Sequence, residues 1–204
     1  MRFFARKMTR ALLALAIVAG LMAPSAQAAI ILSLNATPDS LTAPGSVLID
    51  ISISGVQSDG TEIAAFDLDI GYDSAIFSPG TVSFGGGLGG PLDVFETVVT
   101  SNAGVINMAS VSFIFDAATL QGLQSDNFLL GTVELIAAST FSGSTTVAPS
   151  NVILGDALGL PLTPMALNDA TITGLPSQVP EPSALLLLGI GVLGVAAATR
   201  RRRR

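Results

Sequence analysis

Two segments of the chain alternate between apolar and polar residues, and this pattern limits the fold more than any other feature of the sequence. In Val47–Ser54 every odd-numbered position is Val or Ile, and three of the four even-numbered positions are Asp or Ser. Ile63–Tyr72 alternates in the same way, with Asp67 and Asp69 on the face opposite its Phe, Leu and Ile residues. A period of two is typical of strands with one buried face. The sequence therefore predicts β-structure built around these two strands.

Further β-prone segments follow at short intervals, separated by turns rich in Gly, Pro, Ser and Asn. The predicted strands are Ile30–Leu34, Val47–Ser54, Ile63–Tyr72, Thr81–Phe84, Asp93–Thr100, Val105–Asp116, Phe128–Ala138, Thr140–Val147, Asn151–Leu154 and Ala170–Thr173. Ala117–Ser125 is expected to hold a single helical turn, and Gly85–Pro91 a flexible loop at one end of the fold. About nine short strands with almost no helical periodicity predict an all-β fold, an antiparallel β-sandwich.

Charge is divided between the ends and the body of the chain. All nine Lys and Arg residues lie before residue 11 or after residue 199, whereas the fifteen acids lie between Asp39 and Glu181. The net charge of −6 becomes −10 without the four cations of the N-terminus, and −15 without the five terminal arginines as well. Nucleic-acid binding depends on Lys and Arg, so the sequence predicts no nucleic-acid partner for the body.

The chain contains no Cys, His or Trp. These absences exclude disulfide staples, Ser-His-Asp and Cys-His nucleophiles, and zinc sites of the usual nitrogen and sulfur ligands. Fifteen acids make chance carboxylate pairs of glycosidase spacing common, and no cation in the body could orient a substrate beside them. We therefore expect a protein that is not an enzyme.

The N-terminus has the pattern of a secretory signal peptide over residues 1–28. A basic segment is followed by the apolar run Ala11–Ala23 and by the small-residue motif Ala26-Gln27-Ala28. Cleavage by signal peptidase after Ala28 is expected, because the apolar run is short for a membrane span and a cleavage motif follows at once. The alternative is an uncleaved N-terminal anchor.

The C-terminus has three parts. Pro180-Glu181-Pro182 lies in a predicted extended linker, residues 176–183, because proline fixes φ and disfavours helix before it. Residues 184–199 are uncharged and predict a short transmembrane helix of about 24 Å. The last five residues, Arg200, Arg201, Arg202, Arg203 and Arg204, should stay cytoplasmic under the positive-inside rule. The body is then outside the inner membrane.

This order of motifs resembles the PEP-CTERM sorting signal of bacteria that produce exopolysaccharide. The resemblance covers Val179–Arg204 and implies a membrane-embedded transpeptidase, an exosortase, that cuts near Pro180-Glu181-Pro182. It also implies transient inner-membrane anchoring followed by transfer to the cell surface or extracellular matrix. The alternative is an ordinary C-terminal anchor that is never cut.

The body resembles the cohesin family. The similarity spans about Ile30–Gly174 and includes Pro44-Gly45-Ser46-Val47, the segment Ile63–Asp73 and Phe128–Leu135, with Gly71 as an extra residue before Tyr72. It implies a nine-stranded jelly-roll sandwich over residues 29–175 and suggests a dockerin as a partner. No dockerin-contacting position of the family can be assigned to a residue here.

The body offers two kinds of candidate ligand site. Asp67, Asp69 and Asp73 could supply oxygen ligands to Ca²⁺, or they could be a solvated strand face and an Asp turn. Phe84 and Phe95, on either side of the glycine loop, are the candidates for stacking on a sugar, because most other Phe residues have the spacing of core residues. No other cofactor is expected.

The predicted function is that of a secreted, exosortase-processed surface or matrix protein with a cohesin-like adhesion module, associated with exopolysaccharide or biofilm. Two alternatives remain open: a carbohydrate-binding module that aids polysaccharide breakdown, and a dockerin-binding scaffold component. The expected partners are therefore extracellular polysaccharide or another surface protein, besides the two processing enzymes.

Overall fold

The computed structural model describes residues 29–58, 60–139 and 141–176. The strands are β1 (Ile31–Thr37), β2 (Ser40–Leu41), β3 (Gly45–Ser54), β4 (Ala65–Gly71), β5 (Phe77–Phe84), β6 (Val94–Val99), β7 (Val105–Ser112), β8 (Asn127–Ala137), β9 (Gly143–Gly155), β10 (Pro161–Leu162), β11 (Ala166–Asn168) and β12 (Ala170–Gly174). One short helix, α1 (Ala117–Leu123), and one turn of 3-10 helix, Gly86–Leu88, lie in the connections.

The strands form two sheets that pack face to face. Sheet I has the order β11-β1-β3-β8-β5, and sheet II has the order β2-β12-β9-β4-β7-β6, with β10 attached to β9. All neighbours are antiparallel except the short pairs β1–β11 and β2–β12. The prediction of an all-β sandwich is confirmed. The sandwich has twelve strands rather than about nine, because β2, β10 and β11 have only two or three residues each and such short strands carry little sequence signal.

The core is built from the alternating residues of the two sheets. Val47, Ile49, Ile51 and Ile53 of β3 are fully buried, and so are Leu68 and Ile70 of β4. Each such side chain contributes about 1.5–3 kcal/mol when it leaves water. No buried side-chain polar atom in the described part of the chain lacks a hydrogen-bond partner. Hydrophobic burial with satisfied polar groups therefore stabilises a body that has no ion pair available to it.

Three elements differ from the sequence-based expectation. β5 begins at Phe77 rather than Thr81, since an edge strand tolerates Pro79 and absorbs it in a register shift before Val82. The two strands predicted between Thr140 and Leu154 are one strand, β9, whose pairing with β4 shifts register near Asn151, a residue with φ of +49°. A bulge of this kind interrupts the alternation of apolar and polar residues, and in the sequence this interruption looks like the end of a strand.

The connections between the strands lie at the two ends of the sandwich. We call the end that holds Ile30 and the connections 55–64, 85–93, 113–126 and 156–165 the N-terminal end. The segment predicted as a flexible glycine loop contains the 3-10 turn there, and its Leu88 is buried. The chain leaves at the opposite end, where the amide of Leu175 donates to the carbonyl of Leu41.

Candidate functional site

The predicted processing residues lie outside the described part of the chain. These are Ala26 and Ala28 of the signal peptide, Pro180, Glu181 and Pro182 of the sorting motif, the apolar segment 184–199, and Arg200 to Arg204. Within the described residues no helix is both long enough and apolar enough to span a bilayer.

The outer face of sheet I carries hydrogen-bonded polar side chains together with the exposed Leu48, Leu129 and Ile136. The hydroxyl of Thr132 donates to Asp50 Oδ1 at 2.8 Å, and Asn168 Nδ2 donates to Ser33 Oγ at 3.0 Å. Glu134 accepts from the amide and the hydroxyl of Thr81 at 3.3 and 3.0 Å. The Thr81 amide, followed by the hydroxyls of Thr81 and Ser46, lowers the pKa of Glu134, because these donors favour the ionised carboxylate. These polar side chains therefore have hydrogen-bond partners within the sheet.

The outer face of sheet II is apolar near the N-terminal end. Phe95 of β6 pairs with Val111 of β7, which pairs in turn with Ala65 of β4. Phe95 is 61% exposed, Val111 44% and Phe113 55%. Ile153 of β9, 63% exposed, pairs with Asp67, which is two residues along β4 from Ala65. We call the four residues Phe95, Val111, Phe113 and Ile153 the apolar face.

A depression of about 350 Å³ opens into this face. Its lining includes Ala65, Ala109, Val111, Ile153 and Gly155. The depression exists because Val111 and Ile153 are separated by small residues. These are Ala109 on β7, Ala65 on β4 and Gly155 on β9. A bulky apolar side chain of a partner could enter it, which is the usual way that an anchor residue binds at an interface.

Two carboxylates stand at this depression. Asp67 lines it and accepts from Asn107 Nδ2 at 2.7 Å. Asp156 also lines it, and its Oδ1 accepts from the amides of Leu158 and Leu160 at 2.9 and 2.7 Å. Asp67 thus has an amide donor in place of a cation, since residues 29–176 contain no Lys or Arg.

The three aspartates proposed for calcium are held in two separate places. Asn107 Nδ2 bridges Asp67 and Asp69, at 2.7 and 2.9 Å, and Asn151 Nδ2 donates to the other oxygen of Asp69 at 2.7 Å. Asp73 instead accepts from the amide of Ala75 in its own turn. In the part of the chain that the structure describes, no three acidic side chains converge as a metal-binding group. The calcium hypothesis stays a prediction.

The two aromatic candidates have different surroundings. The ring of Phe84 packs against the core residue Phe66, with 6.2 Å between ring centroids, whereas Phe95 is exposed. Most other Phe residues in the described part of the chain are in or against the core as expected, and Phe113, 55% exposed, and Phe115, 76% exposed, are the exceptions. β7 ends at Ser112, so the alternation that sequence analysis extended to Asp116 does not continue there.

The apolar character of the outer face of sheet II was not predicted from the sequence. On β7, Val105, Ala109 and Val111 share the outer face, and the buried face carries Ile106 and Met108, with Ser110 and Ser112 beyond them. The signal was present in the sequence, since this strand has apolar residues on both faces where a solvated strand would have them on one.

Comparison with known proteins gives two findings for different parts of the chain. A family model described as the PEP-CTERM protein-sorting motif matches residues 178–203. No curated protein sequence matches the chain. The motif implies export, with a membrane-anchored C-terminal signal before processing by an exosortase.

Solved structures resemble the body. CaCohA2 from Clostridium acetobutylicum aligns with a TM-score of 0.57 at 19% identity, over 76% of this chain and 95% of that chain. A cohesin module from a Clostridium perfringens family 33 glycoside hydrolase aligns with 0.56 at 12% identity, over 72% and 96%. A type I cohesin–dockerin complex from Clostridium thermocellum aligns with 0.55 at 13%, over 72% and 95%. The chain therefore carries a PEP-CTERM sorting motif at its C-terminal end, behind a body with a cohesin-like β-sandwich fold.

Proposed function

We propose that this exported, exosortase-sorted chain presents its cohesin-like body as a binding module for another protein, and that the apolar face is where that protein binds. The observation that carries the proposal is the row Phe95–Val111–Ala65 beside the depression, on the outside of sheet II. Soluble proteins rarely leave several large apolar side chains together in water unless the surface contacts something else.

The contrast between the two sheets supports this assignment. The outer face of sheet I mixes hydrogen-bonded Ser, Thr, Asn and Asp side chains with Leu48, Leu129 and Ile136, which are 38–45% exposed. The outer face of sheet II leaves larger fractions uncovered, with Phe95 61% and Ile153 63% exposed. One structurally similar protein, the type I cohesin from Clostridium thermocellum, is described in complex with a dockerin. In this proposal the partner places an apolar anchor residue in the depression.

The partner's surface is expected to carry Lys or Arg beside its apolar anchor. Asp67 and Asp156 line the depression, and the described body has acidic side chains and no basic ones. Opposite charge at the edge of an interface speeds association and selects the partner, and the effect weakens as salt is added.

The proposed location is the cell surface or the extracellular polysaccharide matrix. Signal peptidase cleaves after Ala28, the segment 184–199 anchors the chain in the inner membrane, and an exosortase then cuts at Pro180-Glu181-Pro182. The division into residues 1–28, 29–175, 176–183, 184–199 and 200–204 belongs to this proposal. Mass spectrometry of the C-terminus of extracellular protein tests it: a terminus near residue 180 is expected, and recovery of intact Arg204 would contradict processing.

A second candidate is direct binding of polysaccharide. Phe95 and Phe113 both expose aromatic rings, and the backbone amide of Phe113 donates to the carbonyl of Asp93, two residues before Phe95. Exposed aromatic rings offer flat apolar surfaces on which a sugar could stack. Both candidates use the same surface, so one experiment can separate them.

That experiment places a photo-crosslinking amino acid at Val111 in the full-length chain in its producing cells. The matched control carries it at Leu48, which is 45% exposed on the outer face of sheet I. Protein binding predicts adducts at position 111 that protease digests, with few at position 48. Protease-resistant adducts that polysaccharide-degrading enzymes release would support the second candidate. Equal yields at both positions would refute the apolar face as the binding surface.

A further inference from the structure

We propose that β6 is a docking edge for a second copy of this chain, and that the two copies join by antiparallel pairing of β6 with β6. Sheet II ends at β6, which pairs with β7 alone among the described residues. This proposal does not depend on the identity of the partner at the apolar face.

The other sheet edges in the described part of the chain are protected and β6 is largely not. β5 carries Pro79 and a register shift, and β2, β10 and β11 have two or three residues each. β6 has six residues, Val94–Val99, with no proline, no lysine and no register shift. Proteins that remain monomeric usually protect such an edge, because its free amides and carbonyls accept another strand.

A second copy fits this edge because its sequence is self-complementary. Antiparallel pairing centred on Thr97 places Thr97 opposite Thr97 of the second copy and Phe95 opposite Val99 of the second copy. Glu96 then faces Val98 of the second copy rather than another carboxylate. Paired threonines and aromatic–β-branched pairs are among the favourable cross-strand contacts, and like charges directly opposite each other are avoided.

The exposed fractions of the β6 side chains agree with this register. Phe95 is 61% exposed, Val98 37% and Val99 43%, so all three have apolar surface left to cover. Antiparallel pairing of two β6 strands in one sheet relates the two copies by a twofold axis perpendicular to the sheet. Rotation about this axis keeps the outer faces of both copies on the same side. The apolar faces of the two copies would then lie side by side in one continuous sheet.

The negative charge of Glu96 weakly opposes pairing of β6 with β6, so removing it should measurably increase the association constant. In this register the two Glu96 residues are about 8 Å apart, from the strand spacing and a two-residue offset. At that distance in water, removing the repulsion raises the association constant about twofold, and added salt acts in the same direction. Glu96→Gln should therefore strengthen the dimer, whereas Thr97→Pro should abolish it.

Because the chain contains no cysteine, single cysteines can test the register directly in the full-length protein in detergent. Residues directly opposite each other have Cα atoms about 4.5–5.5 Å apart, within disulfide range, whereas Val98 would be more than 7 Å from its own copy. Under mild oxidation Thr97→Cys should form a covalent dimer, and Val98→Cys should form little.

Sedimentation equilibrium of the unmodified chain, Glu96→Gln and Thr97→Pro gives a second reading that needs no cysteine. A dimer that Glu96→Gln strengthens and Thr97→Pro abolishes is the expected result. Equal cross-linking of the two cysteine variants would mean random collision and would overturn the proposal. A monomer at 100 µM with no Thr97→Cys dimer would overturn it as well. So would protection of the β6 amides from hydrogen exchange only on adding a different protein, which would assign the edge to a foreign strand.

Discussion

The side chain of Gln124 ties together three connections at the N-terminal end, and its replacement by Leu tests whether a polar group stabilises this body. Its Oε1 accepts from the amide of Ile63 at 2.9 Å, and its Nε2 donates to the carbonyls of Ile63 at 2.6 Å and Gly87 at 3.1 Å. Gln124 is 3% exposed and Ile63 is fully buried. Leu is similar in size but leaves one donor and two acceptors without partners.

Each unsatisfied buried group costs about 1–3 kcal/mol, and the apolar surface gained by Leu offsets part of that cost. We expect Gln124→Leu to lower the free energy of unfolding by about 2–5 kcal/mol. For a body of this size the midpoint of thermal unfolding would fall by about 2–4 °C for each kcal/mol. Differential scanning calorimetry and urea unfolding of the full-length chain measure the two quantities.

The same substitution at Gln57 is the matched control. Gln57 is exposed, and its Nε2 donates to the carbonyls of Gln121 and Gln124. We expect Gln57→Leu to cost less than about 1 kcal/mol, since exposed hydrogen bonds are replaced by bonds to water. If Gln124→Leu cost no more than Gln57→Leu, the reasoning about buried polar groups in this body would be refuted.

Three further predictions concern glycine, pH and calcium. Gly85→Ala should destabilise the body far more than Gly86→Ala in urea unfolding, because an added Cβ at Gly85 would lie 1.9 Å from the carbonyl oxygen of Leu129, whereas nothing lies within 4 Å at Gly86. Thr81→Val should raise the pKa of Glu134, lowering stability at neutral pH, with a difference from the parent that shrinks as acid protonates the carboxylate; a constant difference in the thermal midpoint from pH 7 to 3 would contradict this. If the aspartates of β4 help to hold calcium, millimolar Ca²⁺ should raise the thermal midpoint above that in NaCl of equal ionic strength, and an equal rise would mean charge screening alone.

The buried residues were predicted correctly in strands that alternate regularly between apolar and polar residues. β3 and β4 alternate, and their predicted inner residues, Ile49, Ile51, Leu68 and Ile70 among them, are buried. Prediction was less accurate at the ends of helices and strands, where hydrogen bonds made by single side chains determine where an element begins and ends. Asp116 accepts from the amide and hydroxyl of Thr119, which lowers the pKa of Asp116, and α1 then continues to Leu123, beyond the single turn that was predicted.

The candidate site was only partly accessible from sequence. Phe95 was identified because it is aromatic and follows the glycine loop, but nothing in the sequence places it beside Val111 and Ala65. Those neighbours come from strands joined by pairings between distant parts of the chain. The position of Phe113, just past the end of β7, depends on where that strand stops.

The sequence alone determined the sorting of this protein and the chemistry of its body. Sorting motifs act as linear segments, and a body without Lys, Arg, His or Cys lacks those side chains in any fold. The tertiary structure decided which apolar side chains stay exposed on each outer face, where the depression opens, and which edge is free in the described part of the chain. These properties depend on the order and register of strands, and pairings between distant segments follow from the packing of the whole core rather than from any local pattern.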